Sequence, residues 1–225
     1  MGKDSNTWRL EGLLNYIFGI GSLIEQASRM KTTPAALYVL PAKVKGYARG
    51  WWARTGAVGF STTFLGAVPE PSASMNGVVY AVSDEELERT NKREAGYTPT
   101  DITGSVEILG GSFKPQGKVW VYLNKFKDEQ EKKNSLPSAN FPIVQSYVDI
   151  CLTGCLQIQQ GFPEFGDFAA EFIRSTQQWS TYWENDRAYP RRAPFAVALA
   201  QDIDKLLEKH LPGYFPEIRL APGRW

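Results

Sequence analysis

Apolar residues along the chain fall first into short runs and alternations and then, past a charged stretch, into helical stripes. Residues 14–19 (LNYIFG) form a continuous apolar run ending in glycine, the pattern of a buried strand. Residues 42–53 alternate around aromatics and read as a second strand with a bend near Gly50; residues 62–68 and 77–82 read as further short strands. Ser83 and Glu86 make the Ser-x-x-Glu pattern of a capping box, so a helix starts there, runs to about Glu94 and stops at Gly96, a favourable C-terminal cap. Strands near 102–109 and 119–123 follow. Several short strands around one helix suggest an α+β fold, a small mixed β-barrel with helices packed outside.

Residues 126–140 are charged and then rich in Ser, Pro and Asn, and read as a linker; the run 129–133 reads as a solvated loop. Residues 141–225 read as helical. Pro142 stands where a first helical position would be, followed by a stripe of Val144, Tyr147, Cys151, Cys155 and Ile158. Phe165, Phe168, Ala169, Phe172 and Ile173 make a second stripe, and residues 195–207 a third helix. The expected organisation is a barrel domain over 1–125, a linker over 126–140 and a helical C-terminal extension over 141–225 packed on the barrel.

Composition narrows the chemistry. A net charge of +1 over 225 residues provides no global field for nucleic acid or an anionic membrane. The two cysteines, Cys151 and Cys155, stand four apart, a helical spacing rather than that of a redox or zinc motif, and read as small buried side chains. One histidine, His210, excludes a multi-histidine metal site. No run of 18 apolar residues occurs, and the first residues lack the apolar stretch of a signal peptide. The expected location is the cytoplasm, with an organelle-targeting peptide removed from the chain as the alternative.

Two segments carry chemistry. The first is Phe18-Gly19-Ile20-Gly21-Ser22-Leu23, directly after a strand. Glycines let the backbone turn sharply, and consecutive N–H groups aimed at one point bind an anion such as a carboxylate. A tight structural turn would carry the same residues, and the segment is not the G-x-G-x-x-G of a dinucleotide fold. The second is Glu94. Leu87, Asn91 and Glu94 stand at i, i+4 and i+7, so Glu94 tends to share the core-facing side of its helix, at the end where the dipole disfavours a carboxylate. Desolvation there raises a carboxyl pKa and suits a general acid/base. An ion pair with a neighbouring Arg or Lys is the plainer reading.

FGIGSL, then NGVVYAV, then a helix ending REAGY resembles the γ-glutamylcyclotransferase superfamily, nearest the ChaC-type and AIG2-like branches, over residues 14–125. The resemblance implies a small barrel whose glycine turn (Gly19, Ile20, Gly21, Ser22, Leu23) binds the α-carboxylate of a γ-glutamyl group through backbone N–H. It also implies Glu94 as the catalytic carboxylate and Tyr97 as a pocket residue; Tyr80 is a weaker candidate for the same role and reads equally as core. The implied reaction is attack of the α-amine on the γ-carbonyl, giving 5-oxoproline and a free amine, with no metal or cofactor. The family's turn usually carries an aromatic where this chain has Ile20. The competing expectations are a non-catalytic binding or assembly protein that meets a partner or a second copy through 141–225, and another transferase or hydrolase of γ-glutamyl compounds.

Other segments stay open. Trp51 and Trp52 with Arg49 and Arg54 read as a packed strand or a site for an acidic ligand end. Arg191-Arg192, between Pro190 and Pro194, reads as an exposed loop or a contact for an anionic partner or a substrate carboxylate. Trp179, Tyr182, Trp183 and Tyr189 read as a lid, a docking surface or packing.

Overall fold

The computed structural model describes residues 15–36, 38–55, 62–192 and 199–221. The first half comprises β1 (Asn15–Gly19), α1 (Gln26–Met30), β2 (Leu40–Thr55), β3 (Thr62–Val82), α2 (Asp84–Arg93), β4 (Thr98–Asp101), β5 (Val106–Ile108) and β6 (Lys118–Leu123). The second half comprises α3 (Glu129–Asn134), β7 (Ile143–Val144), α4 (Gln145–Gly161), α5 (Phe168–Ser175), β8 (Thr176–Gln177), β9 (Trp183–Asn185), α6 (Ala200–His210) and β10 (Arg219–Leu220).

The main sheet is mixed and ordered β4-β6-β1-β3-β2-β5, with β8 joined to β2. β1 runs antiparallel to β3 and parallel to β6, so it is central and buried on both faces. This is why its sequence is a continuous apolar run rather than an alternation. Ile17 enters the cluster shared with the C-terminal helices, while Tyr16 and Phe18 enter the cluster on the other face.

The α+β class is as expected, but the sheet does not close into a barrel among the described residues. The end strands β4 and β5 are four and three residues long and each pairs with a single neighbour. Curvature comes from β2 and β3 instead. Two register shifts interrupt their ladder, at Lys45/Tyr47 and Trp51/Ala53, the second beside the expected bend at Gly50. Residues 62–68 and 77–82 are one strand, not two. Lys45 faces Ser74 and Tyr47 faces Pro69, so residues 70–73 bulge out opposite Gly46. Pro71 breaks nothing there because a bulge leaves its residues unpaired.

The C-terminal half is less purely helical than its stripes suggest. The segment expected as a linker contains α3, with Asp128 capping its first turn. Pro142 does not start a helix: β7 intervenes, and α4 begins at Gln145. The stripe Val144, Tyr147, Cys151, Cys155, Ile158 is buried as expected, but α4 is buried nearly all round, including Gln145, Ser146, Asp149 and Thr153. Part of the third expected helix, residues 195–207, lies outside the described residues; α6 covers the rest. Ile17, Trp51 and Val78 of the sheet share one core cluster with Cys151, Phe172, Trp183 and Leu207. Trp179 stacks on Trp183 at 5.1 Å and tilts against Trp51 at 5.1 Å, so those aromatics are packing, while Tyr182 and Tyr189 are exposed. Among the described residues no helix is long and apolar enough to cross a membrane.

Candidate functional site

After Gly19 the chain leaves the sheet and turns tightly, the N–H of Ile24 donating to the carbonyl of Gly21 at 2.9 Å. A Cβ on Gly21 would sit 2.8 Å from the Tyr147 hydroxyl, and a Cβ on Gly154 only 2.5 Å from the Glu25 nitrogen. Both glycines are needed because α4 lies directly against the turn. The Glu25 carboxylate caps α1, accepting from the N–H groups of Ala27 and Ser28, and Gln157 of α4 donates to it at 3.3 Å.

The turn's carbonyls are held by two buried arginines. Arg29 donates to Leu23 and Ile24 at 3.2 and 2.9 Å. Arg49, wholly buried, donates to Ile20 at 3.3 Å and to Asn76, Phe172, Ser175 and Thr176. Burial pulls its pKa down to about 10, so it remains charged at neutral pH. The N–H groups of Gly21, Ser22 and Leu23, by contrast, donate to no acceptor among the described residues. Fixed carbonyls with uncommitted N–H groups make a turn suited to an anion.

Helix α2 brings the carboxylate. Its capping box forms as expected: Glu86 N–H donates to Ser83 Oγ, and Ser83 N–H donates to Glu86. Leu87 packs against the core as expected, but the most deeply buried side chains of the helix lie beside it. Glu86 and Thr90 are the buried residues, while Leu87 and Asn91 are half-buried. The reason is polar suturing to the segment after the turn. Glu86 accepts from Ala35 N–H at 2.9 Å, Arg89 donates to the Thr32 carbonyl at 3.0 Å, and Arg93 donates to the Ser28 carbonyl at 2.9 Å. Glu94 stands one residue past the helix end, at φ −99° and ψ 27°. Gly96 is not a left-handed cap; the end is closed by Tyr97 N–H donating to the Glu94 carbonyl at 2.9 Å.

The Glu94 side chain is 19% exposed and lies 3.3 Å from the Arg93 guanidinium. Burial pushes its pKa up, partly offset by the charges of Arg93 and Arg192. It lines a cleft of about 270 Å³ together with Ile20, Gly21, Ser22, Leu23 and Tyr97. Of the residues expected at the site, Gly19 and Tyr80 do not line this cleft. Gly19 ends β1 behind the turn. Tyr80 is buried with an unpartnered hydroxyl and lines a second, larger cavity of about 660 Å³, with Tyr16, Tyr38 and Phe113.

Eight further residues line the cleft: Phe18, Arg54, Phe64, Leu65, Arg93, Tyr122, Tyr147 and Arg192. Tyr122 donates its hydroxyl to Asn91 at 2.7 Å. Tyr147 looked like core from its helical spacing, and it is 5% exposed, but its hydroxyl reaches the turn. The Arg192 guanidinium lies 4.8 Å from the Phe64 ring centre, so the Arg191-Arg192 segment is not merely an exposed loop. Among the described residues no cluster of His, Cys, Asp or Glu is placed to hold a metal ion.

No protein-family model matches this sequence, and no curated protein matches it. Solved structures do. A gamma-glutamyl cyclotransferase superposes with a TM-score of 0.53 at 13% identity, covering 84% of this chain and 98% of that one. An uncharacterized protein from Homo sapiens superposes with a TM-score of 0.51 at 12% identity, covering 84% of this chain and 96% of that one. At such identity the likeness is one of fold. A coverage of 84% is more than residues 14–125 can supply, since they are half of the chain; the shared fold therefore takes in much of the C-terminal half. The chain has the gamma-glutamyl cyclotransferase fold.

Proposed function

We propose that the protein is a γ-glutamylcyclotransferase-type enzyme, which closes a γ-glutamyl group to 5-oxoproline and releases the amine. One observation carries the reading: a glutamate whose pKa is raised by burial faces the same small cleft as a turn with uncommitted N–H groups. The larger cavity is mostly apolar and lacks such a convergence.

In this reading the N–H groups of Gly21, Ser22 and Leu23 hold the α-carboxylate of the γ-glutamyl group. This fixes the α-amine of the same molecule within reach of its own γ-carbonyl, and the positioning supplies much of the rate. The α-ammonium must first lose a proton, which the Glu94 carboxylate takes. The amine nitrogen then bonds to the γ-carbon and the amide C–N bond breaks. Glu94 returns a proton to the leaving nitrogen. The attacking nitrogen loses two protons on the way to the lactam and the leaving nitrogen gains two on the way to an ammonium, so protons balance. A carboxyl held above its ordinary range serves both halves of this exchange near neutral pH better than an exposed glutamate would.

The Arg93 contact also fits a second reading, a binding protein whose glutamate is committed to an ion pair. Arg93 divides its donors among Glu94, Ser28 and Ser22, and Glu94 still faces the cleft, so the enzyme reading is favoured. The test is product analysis over γ-glutamyl dipeptides, γ-glutamyl amines and glutathione. Release of 5-oxoproline is expected. Release of glutamate instead would assign a hydrolase, and no turnover of any compound would support the binding protein.

A further inference from the structure

β3 runs past its neighbour. Its last partner on β2 is Leu40, opposite Val79, yet it continues to Val82 with only β1 beside it among the described residues. Past Val79 the sheet is therefore one strand narrower. The segment before Leu40, with Pro34 and Ala35, and helix α2, which starts after Ser83, wall the step that this leaves. The step is the second cavity, about 660 Å³, within the size range of a small-molecule site.

Its walls are aromatic. Tyr16 of β1 and Phe113, between β5 and β6, meet with ring centres 6.2 Å apart and planes at 66°, and so form a corner of the cavity. Tyr38, Tyr80 and Phe162 line it as well. Ring faces are the negative side of the aromatic quadrupole, so several rings around one space attract a cation beyond what they offer a neutral group.

The rim has the same sign. The charged side chains lining the cavity among the described residues are Glu85, Glu86 and Arg89, all from α2. Arg89 donates to Glu85 at 2.6 Å and lies 3.9 Å from Glu86. Glu86 accepts from the N–H groups of Ala35 and Ser83, which fix it in place without cancelling its charge. One guanidinium thus faces two carboxylates, and Asp84 adds a third carboxylate in the same turn. The N-terminal end of a helix carries about half a positive charge, too little to reverse the balance. A carboxylate ligand would enter against this field and an ammonium with it.

We propose that the second cavity is a binding site for a hydrophobic organic cation, an ammonium group carried on an apolar body. The apolar body takes the space beside the unpaired end of β3, and the ammonium meets the ring faces and the carboxylates of α2. The site does not rest on the cyclotransferase reading, since this cavity and the Glu94 cleft have no lining residue in common among the described residues.

The test titrates three molecules of one shape, phenylbutylammonium, phenylbutanol and phenylbutyrate, into the full chain by calorimetry. The ammonium is expected to bind about 3- to 30-fold more tightly than the alcohol, with the carboxylate weakest. Ala81→Leu, which narrows the cavity, is expected to weaken binding of the ammonium and the alcohol alike, whereas Glu94→Gln is expected to leave both unchanged. Phe113→Leu keeps an apolar wall and removes a ring face, and Glu85→Gln removes a rim charge. Phe113 is 36% exposed and the Glu85 side chain 83% exposed, so neither change threatens the fold. Each is expected to cut the ammonium's advantage over the alcohol by about twofold or more. Equal binding of ammonium and alcohol, tightest binding of the carboxylate, or binding that Glu94→Gln abolishes and Ala81→Leu does not, would overturn the assignment. So would no binding of any of the three, the result expected if a polypeptide fills the cavity.

Discussion

The two cavities differ in what they bring together. The larger, about 660 Å³, lies beside Tyr80 and is walled mainly by residues such as Tyr16, Val39, Val79, Phe113 and Phe162. The smaller, about 270 Å³, gathers a glutamate, three arginines, three tyrosines and a backbone turn. Its walls come from both halves of the chain: the turn and α2 from one, Tyr147 and Arg192 from the other. Volume measures where a molecule would fit, whereas convergent polar groups held by buried networks show where one would be oriented and changed. The proposed chemistry therefore belongs to the smaller cavity.

The contrast can be broken most severely at Glu94. Glu94→Gln keeps the shape and removes the titrating group, and 5-oxoproline release is expected to fall by about 10²–10⁴-fold. A fall of less than tenfold would move the chemistry elsewhere. Next comes the contact that fits α4 to the turn. Gly154→Ala places a methyl group 2.5 Å from the Glu25 backbone nitrogen, which cannot swing aside as a side chain would. An overpacking cost of about 1–3 kcal/mol is expected, seen as a Tm lowered by about 3–10 °C together with a raised KM. An unchanged KM would mean that the turn does not depend on the helix.

A smaller effect has a definite sign. Burial holds the Glu94 pKa above its unfolded-state value, so the folded chain binds that proton more tightly. The stabilisation this gives is fully present below the unfolded-state pKa and is lost as pH rises through the folded one. As pH rises through that folded-state pKa the native protein comes to bear a buried carboxylate, so Glu94→Gln is expected to gain Tm relative to the native protein on going to higher pH, and to lose that gain toward acid, in thermal scans. A variant destabilised at neutral pH would show that the Arg93 contact outweighs burial. Smallest of all, Ala81→Leu partly fills the other cavity and is expected to change kcat/KM by no more than about twofold. A large loss would draw that cavity into the function.

What the sequence discloses about the site is what lies close together in it. The turn after β1 and the capped helix ending near Glu94 are local patterns, and both form. The inward side of α2 is marked by Leu87, but the deeper burial of Glu86 and Thr90 is not, because Glu86, Arg89 and Arg93 bond to backbone groups 51 to 65 residues away. Arg192 was legible only as an arginine between prolines. What brings it to the cleft is a bond from its N–H to Ser146, 46 residues earlier, and a carboxylate at Asp186 that no periodicity marks. Tyr147 fell in an apolar stripe and is indeed buried; only its last atom faces the turn. The one-strand course of β3 is hidden in the sequence because residues 69–76 part its two apolar runs, whereas in the structure Pro69 still pairs with Tyr47 and only residues 70–73 bulge.

The most direct test of the central claim follows the Glu94 carboxyl and the reaction over the same pH range. Carboxyl titration, by difference between the native protein and Glu94→Gln in infrared or carbon resonance spectra, is compared with the pH dependence of 5-oxoproline release. The account expects one carboxyl titrating above the ordinary glutamate range, with kcat/KM rising through that same pKa as the carboxylate forms. An acid limb at an ordinary glutamate pKa, or one that persists in Glu94→Gln, would contradict it.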